Sequence, residues 1–315
     1  MTTPRRNHVD LHCHTARSDG VLEPLTLVDE ARRWGMRLVA ITDHDTLAGY
    51  RELRDVDLAA WPLPTSLAGA PGPLLLPGVE INAIASGIPD LWEGELHILG
   101  YGVDPDDASF EAALARQRDG RRARAEEIRA TLRRLGMPVE EHLAAALPPG
   151  VASPGRPHFA RALVLAGHAA SVDDAMRRIL GRGAPGYVPR IGIGPREAIE
   201  AIRAAGGLPS LAHFPTAPER GEVLDELQGW GLLGLEVHYA AFGDETVDRM
   251  ARVARARGLV PTGGSDFHGD TAPYAEAQRT THVPEQVGEG LLSALAALAA
   301  RGPRSARARV DLGTA

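Results

Sequence analysis

Seven short runs rich in Val, Ile and Leu punctuate the chain, at His8–His12, Arg37–Thr42, Leu74–Glu80, Glu95–Tyr101, Leu208–His213, Gly234–His238 and Gly258–Gly263. Segments with helical periodicity follow several of them, for example Pro24–Trp34, Pro195–Ala205, Pro218–Trp230 and Asp244–Arg257. Apolar runs without strict alternation read as strands covered on both faces, the pattern of a parallel sheet clothed in helices. Proline in the first turn of three of the four helical segments fits a helix start, where its missing N–H has no partner to lose. Seven such strands favour a closed barrel over an open sheet, so the expected fold class is α/β.

One interval breaks the alternation. From Asp104 to Arg190 only helical patterns appear, at Ser109–Leu135, Glu140–Ala146, Pro157–Leu165 and Val172–Leu180. Gly136-Met137-Pro138, Pro148-Pro149-Gly150 and Ser153-Pro154-Gly155 separate them with turn chemistry. The expected organisation is a barrel domain over 1–103 and 191–315, with an all-helical insertion over 104–190 between strands four and five. The insertion holds fourteen Arg against eleven acids, a balance of +3 that leaves −10 for the rest. A solvated helix face explains the Arg116–Arg134 run as well as an anion site does, since Glu126 and Glu127 stand at partner spacing. The tail from Pro303 is polar and Arg-rich, and a mobile end is expected there.

Composition removes several chemistries. All 34 basic residues are arginine, which excludes Schiff-base catalysis and the lysine of a phosphate-binding P-loop. The single cysteine excludes disulfide frameworks and thiolate zinc sites. Biased coding explains the lysine gap without selection, because Arg replaces Lys on most exposed surfaces. A net charge of −7 argues against duplex DNA as a partner. The longest apolar stretch, Ala294–Ala300, is too short to span a bilayer, and Met1–Asn7 carries no apolar leader, so no membrane partner and a cytoplasmic location are expected.

The chemistry lies at the strand ends. His12 and His14 flank Cys13, and strand geometry projects both imidazoles to one face while the thiol turns away. Such a pair alone is weak evidence for a metal, but it has company. Asp19 follows, His44 stands after the second run, Glu80 ends the third, His97 lies in the fourth, His213 ends the fifth, and Asp266 and His268 follow the seventh. Half of the twelve histidines thus fall on or just after strand-like runs. In an α/β barrel the strand C-terminal ends share one face, so nine nitrogen and oxygen donors would converge there and hold two or three divalent ions.

His12-x-His14, Asp19-Gly20, Thr42-Asp43-His44, Gly78-Val79-Glu80, His97, Ala212-His213 and Ser265-Asp266-x-His268 resemble, in order and by type, the motifs of the PHP (polymerase and histidinol phosphatase) superfamily. The match runs from His12 to His268. The resemblance implies a distorted (β/α)7 barrel, with one metal between His12, His14, Glu80 and Asp266, a second sharing Glu80 with His97 and His213, and a third held by Asp19, His44 and His268. Mn, Fe or Zn suits such mixed donors. A hydroxide bridging two metals, held by Glu80, Asp266 and His213, would attack phosphorus, so Ser265 is not needed as a nucleophile. Asp43 and Asp45 flank His44 as acceptors that would orient imidazoles, with a helix N-cap at the following turn as the alternative for each, most of all for Asp45.

The branch with a helical insertion looks closest, and it includes nucleoside 3′,5′-bisphosphate phosphatases and 5′-to-3′ exoribonucleases. A small nucleotide or short RNA is therefore the expected substrate. Gly155-Arg156-Pro157-His158 resembles the insertion motif that faces the metals in that branch, placing Arg156 and His158 at a helix start suited to anions. Arg156 as a surface cap and His158 as a packing residue remain the plainer alternatives. Arg161 and Tyr187 complete the candidate substrate set, as a further cation and a stacking ring. Two other functions keep the same metal core: a histidinol-phosphate phosphatase, and a non-catalytic metal-binding module.

Overall fold

The computed structural model describes residues 7–59, 61, 63, 72–85, 94–147 and 154–301. Two expectations, the turn residues Pro148–Ser153 and the tail from Pro303, lie outside them.

The seven strands are β1 (Val9–Cys13), β2 (Leu38–Ile41), β3 (Leu74–Ile84), β4 (Glu95–Tyr101), β5 (Leu208–Leu211), β6 (Gly234–Tyr239) and β7 (Val260–Gly264). They form one sheet in sequence order. A bridge between Cys13 and Phe267, just past β7, brings the two ends of the sheet together, so the sheet is nearly closed into a barrel. The seam is narrow: a Cβ on Gly264 would lie 2.4 Å from the His12 backbone nitrogen, so only glycine lets β7 approach β1 this closely.

The sheet is not wholly parallel, which corrects the sequence expectation. β4 runs antiparallel to both β3 and β5, while the other neighbours are parallel. About ten residues separate Ile84 from Glu95, fewer than the dozen or more that a parallel crossover needs, so the pair is antiparallel. Pairing with β4 also carries β3 four residues past Glu80, to Ile84.

Helices cover the outside: α1 (Pro24–Trp34), α2 (Ala48–Asp55), α3 (Ala108–Arg134), α4 (Glu140–Ala146), α5 (Arg156–Leu165), α6 (Val172–Ala175), α7 (Pro195–Ala204), α8 (Gly221–Gly229), α9 (Asp244–Arg257), α10 (Tyr274–Thr280) and α11 (Glu285–Arg301). α2, α10 and α11 were not anticipated. α11 buries Val287, Leu291, Leu292 and Leu295 against Val9, Leu38 and Leu208, the first residues of three parallel strands, and against Tyr101, the last residue of the reversed one. It therefore stops the end of the barrel opposite the strand C-termini. Among the described residues no helix is long and apolar enough to cross a membrane.

α3 to α6, with one π-helical turn (Met176–Leu180), lie between β4 and β5. They bury a separate apolar cluster that includes Ile128, Leu132, Leu143, Phe159, Leu163 and Leu180. Asp107 starts α3, its carboxylate accepting from Phe110 N at 2.8 Å, a cap worth about 1 kcal/mol.

Candidate metal centre

All nine predicted ligands meet at the mouth of the barrel, in three groups: His12, His14, Glu80 and Asp266; Glu80, His97 and His213; and His14, Asp19, His44 and His268. His14 joins the third group as well as the first. His97 reaches the others although it lies near the start of β4, because the reversed strand begins at the level where its neighbours end.

Glu80 is the hub. Its Oε2 lies 3.2 Å from His12 Nε2, His14 Nε2 and His44 Nδ1, and its Oε1 lies 2.6 Å from His97 Nδ1 and 3.0 Å from His213 Nε2. Asp266 Oδ1 is 3.1 Å from His14 Nε2 and 3.3 Å from His12 Nε2, and Asp19 Oδ1 is 3.3 Å from His268 Nε2. Donors that share an ion at about 2.0–2.2 Å stand roughly 3 Å apart, so these edges are the size a common cation requires.

The polar accounting points the same way. His12 Nε2, both ring nitrogens of His14, His44 Nδ1, Asp19 Oδ1 and Asp266 Oδ1 are buried without a hydrogen-bond partner among the described residues. Buried donors and acceptors are rarely left so, and convergent ones fit a cation. The charges agree. Burial alone would raise the Glu80 carboxyl, yet the imidazoles of His44, His12 and His97 outweigh it and hold it well below the usual range. Asp266 is likewise lowered against its burial by His12 and His14. Burial lowers His14, but Asp266 and Glu80 push it up to about 10, whereas burial takes His44 down to about 3 against the pull of Asp19 and Glu80. The carboxylates stay anionic and call for positive charge, which a divalent ion supplies.

Backbone strain aims several of these side chains. Among the described residues, three of the four non-glycine residues with positive φ are here: Asp45 (55°), His213 (24°) and Asp266 (52°). Each has its N–H anchored to a site residue: Asp45 to Glu80 O at 3.0 Å, Asp266 to His12 O at 2.7 Å and His213 to Glu236 Oε2 at 2.7 Å. Such conformations cost energy and persist only where the surroundings fix them.

Glu236 was not anticipated. It lies on β6, which carries none of the nine, and is fully buried. Its second oxygen meets His12 Nδ1 at 2.9 Å, so Nδ1 donates there and Nε2, turned toward Glu80 and Asp266, is the atom that would bind a cation. His268 is set similarly, with Nδ1 2.9 Å from Asp266 O. Asp10 is a second missed carboxylate. It accepts from Ser265 N at 2.9 Å, Ser265 Oγ at 2.6 Å and Gln278 Nε2 at 2.5 Å, and so fixes the loop that carries Asp266. The available signal was an acid inside an apolar run, two residues before His12 in one case and in Leu235-Glu236-Val237 in the other.

Asp43 and Asp45 do not orient imidazoles. Asp43 accepts from Thr15 N, Thr15 Oγ1 and Ser18 Oγ, each at 2.7 Å, and shapes the loop that carries Asp19. Asp45 pairs with Arg121 at 2.7 Å, and the cap of α2 is Leu47.

Above the cluster lies a cleft of about 770 Å³ onto which Asp19, His44, His97 and His213 open, and which seven arginines line: Arg17, Arg118, Arg121, Arg122, Arg124, Arg156 and Arg190. Arg156, first in α5, is 5% exposed and shares this cleft with His158. His158 Nδ1 accepts from Gly155 N at 3.0 Å, and burial together with Arg161 lowers its pKa, so a neutral ring carries its proton on Nε2. Arg161 and Tyr187 do not line the cleft. Arg161 borders a separate depression beside Leu147 and Leu165, because five residues along a helix turn a side chain away from the face its first residue presents. Tyr187 is half-buried in the turn after the π-helical segment.

The chain matches the PHP domain family over residues 10–66. It is 34% identical to a 5′-3′ exoribonuclease of Haemophilus influenzae, over 82% of this chain and 89% of that protein. It is 30% identical to a 3′,5′-nucleoside bisphosphate phosphatase of Chromobacterium violaceum, over 88% and 93% of the respective chains. A crystal structure from Bifidobacterium adolescentis, assigned to the metal-dependent phosphoesterases, superposes with a TM-score of 0.68 at 29% identity and covers 92% of this chain and 97% of its own.

Proposed function

The chain belongs to the PHP family and is a metal-dependent hydrolase of phosphate esters, and from that premise we propose that it cleaves the ester between phosphorus and a ribose 3′ oxygen in a nucleotide with a free 5′-phosphate. A nucleoside 3′,5′-bisphosphate then yields the 5′-monophosphate and phosphate, and a short 5′-phosphorylated RNA yields a 5′-mononucleotide and a shortened strand. Both products arise from one bond, since the bisphosphate is the same substrate with nothing beyond its 3′-phosphate. The observation that carries this reading is a single cleft onto which four of the nine ligands and seven arginines open, of a volume that suits a small ligand.

The ligand groups named above would hold two or three ions of Mn, Fe or Zn. Bound there, divalent ions supply an acidified water as nucleophile and neutralise charge on the phosphate oxygens. With ions bound, Glu80, Asp266 and His213 would be the side chains that hold such a water in place. Arg156 and the Nε2–H of His158, at the start of α5, take the 5′-phosphate, aided by the helix N-terminus. The helical segment 104–190 acts as the lobe that covers the nucleotide.

The test compares turnover of adenosine 3′,5′-bisphosphate and a short 5′-phosphorylated RNA with turnover of adenosine 3′-monophosphate and the 5′-hydroxyl RNA, with metal analysis on the same sample. Both 5′-phosphorylated substrates should be cleaved, and loss of the 5′-phosphate should cost on the order of 10²-fold in kcat/KM. Equal rates with and without that phosphate would defeat the reading.

A further inference from the structure

Asn82 stands two residues beyond Glu80 on β3 and directly across from His97 on β4, so its side chain shares their face of the sheet. Its backbone is occupied: the carbonyl accepts from Gln117 Nε2 at 2.5 Å and the N–H donates to Asp45 Oδ1 at 3.4 Å. The amide is placed differently. Asn82 is 7% exposed and lines the cleft, and its Oδ1 is buried without a hydrogen-bond partner among the described residues. A buried amide oxygen without a partner destabilises the free protein, so its position is better explained by what enters the cleft than by folding.

The reaction supplies a matching group. The 2′-hydroxyl sits on the carbon next to the one whose oxygen leaves. A ribose whose 3′-phosphate lay at the Glu80, His97 and His213 group would present that hydroxyl close to the same group, which Asn82 flanks, two residues from Glu80 and across from His97. A hydroxyl donates one hydrogen bond and accepts others, and an amide offers both complements without charge. We propose that Asn82 receives the 2′-hydroxyl of the nucleotide whose 3′ oxygen leaves, and so makes the enzyme select ribose over deoxyribose. This rests on the cleavage reading above and adds the sugar to it. Arginine lining alone would not distinguish the two sugars, because it reads phosphate.

The experiment measures kcat/KM for adenosine 3′,5′-bisphosphate and its 2′-deoxy analogue in the wild type, Asn82→Ala and Asn82→Ser, with metal content and melting temperature of each protein. A site built to bond a hydroxyl rejects the analogue lacking it, so the wild-type ratio should be on the order of 10²-fold or more. It should collapse toward unity in Asn82→Ala through loss on the ribose substrate alone, and recover in part in Asn82→Ser. Unchanged discrimination in Asn82→Ala, or equal wild-type rates on both sugars, overturns the inference and leaves the cleavage reading standing. Loss of metal in Asn82→Ala overturns it by making Asn82 a ligand. A wild type that cleaves neither nucleotide but hydrolyses an aryl phosphate ends both readings together.

Discussion

The barrel mouth and the helical lobe meet at one cleft but position their charges by opposite means. At the mouth, ligands from His12 to His268 are gathered from six strands or the loops after them, and buried carboxylates pin either their rings or their N–H groups, as Glu236 does for both His12 and His213. In the lobe, charges are mostly exposed and satisfied close by in the chain: Arg122 pairs with Asp119, Arg129 with Glu126, and Arg178 with Asp174. Exposed pairs of this kind contribute roughly 0–1 kcal/mol each and leave the side chains free to turn. Where a few tenths of an ångström decide whether an ion binds, the protein uses buried hydrogen bonds and strained backbone. On the solvated helix faces of the lobe, it pairs exposed arginines with acids a turn away.

Substitutions at the mouth should therefore be the most damaging. Glu80 belongs to two ligand groups and lies against five imidazoles, so Glu80→Gln changes little volume but removes the charge they share. We expect kcat/KM to fall on the order of 10³-fold with loss of bound metal, and treatment of the wild type with a chelator should give the same loss, reversed by adding divalent metal. A Glu80→Gln protein that kept its metals and its turnover would remove the contrast between the two regions.

A smaller effect is expected one layer out. Glu236→Gln replaces an acceptor with a group that can donate toward His12 Nδ1, which disturbs the ring whose Nε2 faces the ligand group. Metal affinity should weaken by about 10–100-fold, read by chelator competition, and excess metal should restore most of the turnover. A deficit that excess metal does not relieve would place Glu236 in the chemistry rather than in positioning.

These two residues also mark the limit of what the sequence disclosed. Glu80 was legible because it ends an apolar run in a set of strand-end imidazoles, and the two-residue strand period gives His12 and His14 a common face. Glu236 and Asp10 are acids inside apolar runs, but the His12 ring and Ser265 that they bind lie 224 and 255 residues away, so spacing along the chain did not pair them. The reversed β4 was missed for a related reason: an apolar run carries no direction, and only its connection to β3 sets one. In the lobe, residue type indicated an arginine-rich segment, while the helix face each arginine presents depends on packing, so Arg156 lines the cleft and Arg161 does not.

Arg156 and Arg161 test that last point, since both lie on α5 and only the first lines the cleft. Arg156→Ala should lower kcat/KM for a nucleoside bisphosphate by roughly 10–10²-fold, the loss of a charge-assisted phosphate contact, with little change for an aryl phosphate that lacks the second group. Equal losses on both would remove Arg156 from substrate recognition.

Arg161→Ala should change neither rate by more than about twofold. Arg161 is exposed, borders the depression beside Leu147 and Leu165, and acts on the site only as a nearby charge that lowers His158. Removing that charge lets the imidazole titrate slightly higher, and folding stability, read by denaturant unfolding, should change by no more than an exposed substitution allows, about 0.5 kcal/mol. If Arg161→Ala matched Arg156→Ala in its loss on the bisphosphate, the lobe would have to bring a second face of α5 over the substrate. The two regions would then differ in mobility and not only in how they hold their charges.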